Sequence, residues 1–153
     1  MAIPCLTEGC LPPGIHDCSL EDIRASFGTS QRREILVRNL SRYIQNLRQT
    51  GFAGWIIVDG SFATDKENPT DVDIVLAIGE DCNYSILAPV TRLDYTLLND
   101  EYVRRNFGIH LFIGFTDGAS RNGFDDAANS AIECFTQVKG RPGAKKGHLR
   151  MAI

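Results

Sequence analysis

The chain has 153 residues, 43% of them hydrophobic and 23% charged, with 16 Lys and Arg against 19 Asp and Glu. The resulting net charge of −3 argues against a protein that coats nucleic acid, and the composition argues against a disordered or collagen-like chain. The length suits one sizeable core, so a single domain over 1–153 is expected. No apolar run approaches the roughly 20 residues that span a bilayer. The acidic N-terminus lacks the basic start and apolar stretch of a secretion signal, so a cytoplasmic protein without membrane association is expected.

Charge is unevenly spread. From residue 139 onward there are five basic residues (Lys139, Arg141, Lys145, Lys146 and Arg150) and no acid, whereas the first 138 residues carry 11 basic against 19 acidic. The basic segment 139–153 reads either as a solvated terminus or as a patch that meets phosphate. Five cysteines in a chain without a secretion signal argue against a disulfide framework. Cys5, Cys10, His16 and Cys18 lie near one another in sequence, but without the short Cys-x2-4-Cys knuckle of a structural zinc site.

In chain order, Leu11-Pro12-Pro13-Gly14 removes backbone donors and makes residues 1 to about 18 an extended arm. Ser19-Leu20-Glu21-Asp22 is a capping-box signal for a short helix over about 20–27. Ser30 caps a longer helix over about 31–50, whose apolar stripe is Ile35, Leu36, Leu40, Tyr43, Ile44 and Leu47. Arg32, Arg33, Arg38, Arg42 and Arg48 fall mostly off that stripe and are expected to face solvent.

Residues 54–59 form an apolar strand typical of a sheet covered on both faces, with Trp55 expected in the core. A polar loop leads to a second strand over 71–78. Residues 86–106 are expected to be helical, 107–115 a third strand, about 124–138 a last helix, and 148–152 a short closing strand. This predicts an α/β (α+β) fold with a mixed central sheet flanked by helices.

The informative stretch is Gly60-Ser61, nine residues, then Asp71-Val72-Asp73-Ile74. A buried strand ends in a Gly-Ser turn, where the absence of a side chain allows close approach and exposed amides can hold a phosphate. Alternation along the second strand places Asp71 and Asp73 on one face, about 7 Å apart. Two such carboxylates repel, and a divalent cation between them removes the cost. Magnesium takes hard oxygen ligands of this kind together with substrate phosphates, so the pair predicts displacement at a nucleoside triphosphate.

This pattern resembles the signature of the nucleotidyltransferase superfamily related to DNA polymerase beta: a Gly-Ser or Gly-Gly turn, a gap, then Asp-hydrophobic-Asp-hydrophobic. The resemblance covers about residues 31–115, and Leu11-Pro12-Pro13-Gly14-Ile15-His16, Val58-Asp59-Gly60-Ser61-Phe62 and Lys146-Gly147-His148-Leu149 are similar to a small bacterial and phage branch of that fold. It implies magnesium (or manganese) on Asp71 and Asp73, a triphosphate on Gly60 and Ser61, and transfer of a nucleoside monophosphate to a hydroxyl. The acceptor is left open among protein, RNA and small molecule. Lys66, Arg141, Lys145 and Lys146 are candidate triphosphate contacts.

Two departures stand out. Asp59 occupies a position the family fills with a hydrophobic residue, and the strand that supplies a third acid in active members here carries His110. His110 is either a general base at the site or a hydrogen-bonded histidine in the sheet; Asp59, Glu101 or Asp117 are the acids that can substitute in space. The missing acid also supports an alternative, a catalytically inactive domain serving as a nucleotide sensor or as a protein-interaction module of the toxin–antitoxin or defence kind. Oligomeric state is not legible.

Overall fold

A computed structural model describes residues 2–79, 82 and 96–153. The fold is α+β: five strands form one mixed sheet in the order β1-β5-β2-β3-β4, with four α-helices among the described residues. The strands are β1 (Ile15–Asp17), β2 (Gly54–Asp59), β3 (Val72–Ile78), β4 (Ile109–Phe115) and β5 (His148–Ala152). The helices are α1 (Leu20–Phe27), α2 (Gln31–Thr50), α3 (Asp100–Phe107) and α4 (Asp126–Thr136). Among the described residues no helix is long and apolar enough to cross a membrane.

Local chemistry accounts for the boundaries. Ser19 accepts from the Asp22 amide while Asp22 accepts from the Ser19 amide, the reciprocal cap expected before α1. Ser30 accepts from the Arg33 amide and starts α2. Asn99 accepts from the Tyr102 amide at 3.0 Å, so α3 begins at Asp100; the expected helical stretch over 86–95 lies outside the described residues. The third strand starts at Ile109, not 107. Phe107 still belongs to α3, and Gly108 turns the chain through a left-handed conformation (φ 64°).

The alternation of β2 and β3 divides the core. Ile56, Val58, Ile74 and Leu76 pack with residues of α1, α2 and α3, whereas Ile57, Val75 and Ala77 pack with Phe124, Ala128 and Ile132 on the α4 side. The sheet is therefore covered on both faces, as the apolar strand centres demand. Trp55 is only half-buried and lies beneath the Arg150 guanidinium, 4.7 Å from its ring centroid, rather than in the core.

Two expectations about basic residues are corrected. Arg33 is not solvent-facing: it is 2% exposed, and its guanidinium donates to the carbonyls of Phe62 (2.8 Å), Thr64 (2.7 Å) and Lys66 (3.0 Å) and, more weakly, Phe27 (3.5 Å). Arg32 similarly holds the carbonyls of Pro69 and Thr70. A loop between β2 and β3 must place its carbonyls somewhere, and the N-terminal turn of α2 supplies the donors. Nor is the basic C-terminal segment a solvated tail. β5 lies between β1, parallel to it, and β2, antiparallel to it, with Lys146 and His148 buried.

Candidate functional site

Four side chains line up across one end of the sheet. In the antiparallel β2–β3 ladder Asp59 stands opposite Asp73, and in the parallel β3–β4 ladder Asp73 stands beside His110. On the other side of β2, Val58 pairs with Leu149, and the Asp59 carboxylate reaches the neighbouring His148. Side chains at paired positions share a face. The row His148–Asp59–Asp73–His110 therefore lies on the α4 side, at the end of the sheet where the Gly60–Ala63 3-10 turn leaves β2.

Asp73 is the central group. Its Oδ1 is 3.1 Å from His110 Nδ1, with the two side chains 14% and 32% exposed. Burial pushes the Asp73 carboxyl above the ordinary aspartate range, and the neighbouring charge of Asp71 adds to that shift. The hydrogen bond and charge of His110 oppose it, and Asp59 pushes it further up. Asp71 immediately precedes β3 and is half-buried. Among the described residues no hydrogen bond or ion pair engages the Asp71 carboxylate or the Ser61 hydroxyl.

Gly60 sits directly against Asp73. With φ +71° it occupies the left-handed region, and a Cβ built there would lie 1.8 Å from Asp73 Oδ2. The glycine is thus required twice, by backbone conformation and by contact. Its amide, however, does not face outward as the sequence suggested. Gly60 is buried, and its N–H donates to Asp59 Oδ1 at 3.0 Å. What remains for an anion is half-buried Ser61 with its hydroxyl, since Phe62 and Ala63, the rest of the turn, are buried.

Asp59 is fully buried and belongs to a separate charge cluster. Its Oδ2 accepts from His148 Nδ1, and Lys146 Nζ lies 3.5 Å from Oδ1 while donating to the Gly60 carbonyl at 3.2 Å. His148 Nε2 meets Thr136 Oγ1 at 3.2 Å. A buried carboxylate needs such compensation. Sequence reasoning named Asp59 as a departure and as a possible substitute acid, quoted His148 only within a family-like segment, and gave neither His148 nor Thr136 a place at the site. The available signal was Asp59 itself, an acid closing an apolar strand, which requires a cationic partner from elsewhere in the chain.

The remaining predicted residues are dispersed. Lys66 is exposed, and its backbone, rather than its ammonium, is engaged, by Arg33 and Thr64. Arg141 is committed to the N-terminal arm, donating to Glu8 Oε2 (2.7 Å) and the Glu8 carbonyl (2.8 Å). Lys145 is exposed beside Gln137. Lys146 reaches the site, but as a buried partner of Asp59 and Gly60, not as an arm over a triphosphate. Of the three substitute acids, Glu101 is exposed and paired with Arg105, and Asp117 caps a turn beyond the far end of β4. Only Asp59 lies beside Asp73. Among the described residues no three His, Cys, Asp or Glu side chains form a metal-ligating group.

Residues 4–152 match a family described as a family of unknown function, DUF6932, and the chain belongs to that family. No curated protein and no solved structure matches it.

Proposed function

We propose that this chain is a magnesium-dependent nucleotidyltransferase of the polymerase-beta-like kind, moving a nucleoside monophosphate from a triphosphate to an acceptor hydroxyl. One observation carries the reading. Asp73 is driven toward its neutral form by burial and by the charge of Asp71, at the point where Gly60 presses against its carboxylate. Such an arrangement costs stability unless a cation completes it.

The donor set fits magnesium. Two carboxylates, one without a protein partner, match an ion that commonly takes one or two carboxylates and fills its remaining positions with water and substrate phosphates. Asp71 and Asp73 would hold it, and when bound it supplies charge neutralisation for the triphosphate oxygens; manganese suits the same donors. The Ser61 hydroxyl, which no group among the described residues engages, would donate to a phosphate oxygen.

His110 takes the proton-handling role. With Nδ1 donating to the Asp73 carboxylate, His110 would present its Nε2 lone pair to the acceptor. The acceptor oxygen bonds to the α-phosphorus, and its proton passes to His110 Nε2. The α–β bridging P–O bond breaks, and pyrophosphate leaves with the electron pair. The acceptor hydroxyl belongs to a protein, an RNA or a small molecule, met in the cytoplasm where nucleotides and magnesium are abundant.

Calorimetry with ATP, CTP, GTP and UTP in magnesium tests the binding step. Submillimolar affinity for one of them, lost in Asp73→Asn, supports the reading; millimolar or weaker binding of all four overturns it. A second reading, a nucleotide-sensing domain without catalysis, is favoured by the histidine at the third acid's position and by the engagement of Asp59 with Lys146 and His148. Transfer of labelled nucleotide to co-purified protein or RNA, abolished by Asp73→Asn, excludes the sensor.

A further inference from the structure

Resting on the nucleotidyltransferase reading, we infer that Lys146 and His148 are positioning residues through which the C-terminal strand locks the Gly60–Ser61 turn against Asp73. Both backbone polar groups of Gly60 are held by one cluster. Its N–H goes to Asp59 Oδ1, and its carbonyl accepts from Lys146 Nζ. Asp59 is itself fixed from the opposite side, its second oxygen by His148 Nδ1 and its first by the Lys146 ammonium.

His148 is steadied in turn by Thr136, whose hydroxyl also reaches the Ile132 carbonyl at 3.1 Å, so the last turn of α4 completes the chain of contacts. Through these links β2, β5 and α4 converge on one glycine.

Stability alone does not explain this use of charge. A buried ion pair gains little over apolar side chains of the same size, and the surrounding strands are apolar. What the cluster provides is direction: a turn in a left-handed conformation, pressed on the Asp73 carboxylate, with no freedom to swing. Displacement of such a group by about 1 Å is enough to cost on the order of a hundredfold in rate.

The test uses the full-length chain, Lys146→Met, and the paired Asp59→Asn/Lys146→Met. The pair leaves no lone buried charge and keeps an amide oxygen for the Gly60 N–H, so it folds even where the single variant does not. Amide exchange is followed by NMR, and affinity for magnesium-ATP by calorimetry. The expected result for the pair is at least tenfold faster exchange at Gly60, unchanged exchange at Ile74 and Leu111, and at least tenfold weaker nucleotide binding. Wild-type protection at Gly60 in the pair overturns the inference. So does faster exchange with undiminished nucleotide affinity. If the wild-type chain binds no nucleotide while Gly60 exchange rises in the pair, the locking of the turn stands and the nucleotidyltransferase reading fails.

Discussion

Replacing Arg33 with Met tests how the spacer between the two halves of the motif is held. Arg33 lies within α2 and is 2% exposed, yet its guanidinium serves four carbonyls. Methionine fills most of the volume and removes every donor. Phe27 and Phe62 are buried, so their carbonyls lose a partner that water cannot replace, whereas the Thr64 and Lys66 carbonyls belong to half-buried and exposed residues that water can reach. An orphaned buried carbonyl costs about 1–3 kcal/mol, giving about 2–6 kcal/mol for two.

Relief of the guanidinium's own desolvation, which pulls its pKa down, returns part of that, so about 3 kcal/mol is expected. For a chain of this size each kcal/mol moves Tm by about 2–4 °C, and scanning calorimetry should show a fall of about 6–12 °C. Arg33→Lys should recover less than half, because one ammonium cannot span four carbonyls. A Tm within 2 °C of wild type for Arg33→Met would refute the reasoning. It would mean that the loop carbonyls find other donors and that the guanidinium merely occupies space.

Asp73→Asn should raise Tm at pH 7 and leave it unchanged near pH 3. The folded carboxyl holds its proton more tightly than the unfolded one, so its contribution to stability is present at low pH and is lost as pH rises through its elevated pKa; the amide never incurs that loss. Thermal melts of both proteins across pH 3–8 check the sign, and magnesium should stabilise only the wild type. Gly60→Ala should cost at least about 1–2 kcal/mol for the left-handed conformation alone, plus displacement of Asp73 from a Cβ that would stand 1.8 Å from Oδ2. Urea unfolding together with loss of the His110–Asp73 contact by NMR reads both effects. Asp100→Ala removes the acceptor that covers the Leu111 amide at 2.7 Å on β4, an edge strand of the sheet. A loss of about 1–2 kcal/mol is expected, with faster Leu111 amide exchange as the readout.

Much of the architecture was legible from local patterns. The caps at Ser19 and Ser30 and the apolar centres of residues 54–59 and 72–78 are short-range signals, and the corresponding elements fall within a residue of expectation. Arg33 was misread for the same reason. Helical periodicity describes which face turns inward, but not that the inward face at the start of α2 meets a row of loop carbonyls instead of side chains. The strand expected from 107 begins instead at Ile109, because Phe107 remains in α3 and Gly108 caps that helix, so cap chemistry overrides the apolar pattern.

Sequence alone determined that two aspartates one residue apart open a strand shortly after a Gly-Ser turn, because strand alternation and turn chemistry act over a few residues. Only the tertiary structure decided who their neighbours are. Asp59 and Asp73 are brought side by side by an antiparallel ladder, and His110 by a parallel one; Lys146 and His148 arrive from almost 90 residues beyond Asp59. Pairing between strands distant in sequence is set by burial of the whole sheet, and no local pattern encodes which buried charge will meet which. That is why a basic segment that looks solvated on paper ends as the buried clamp on a glycine.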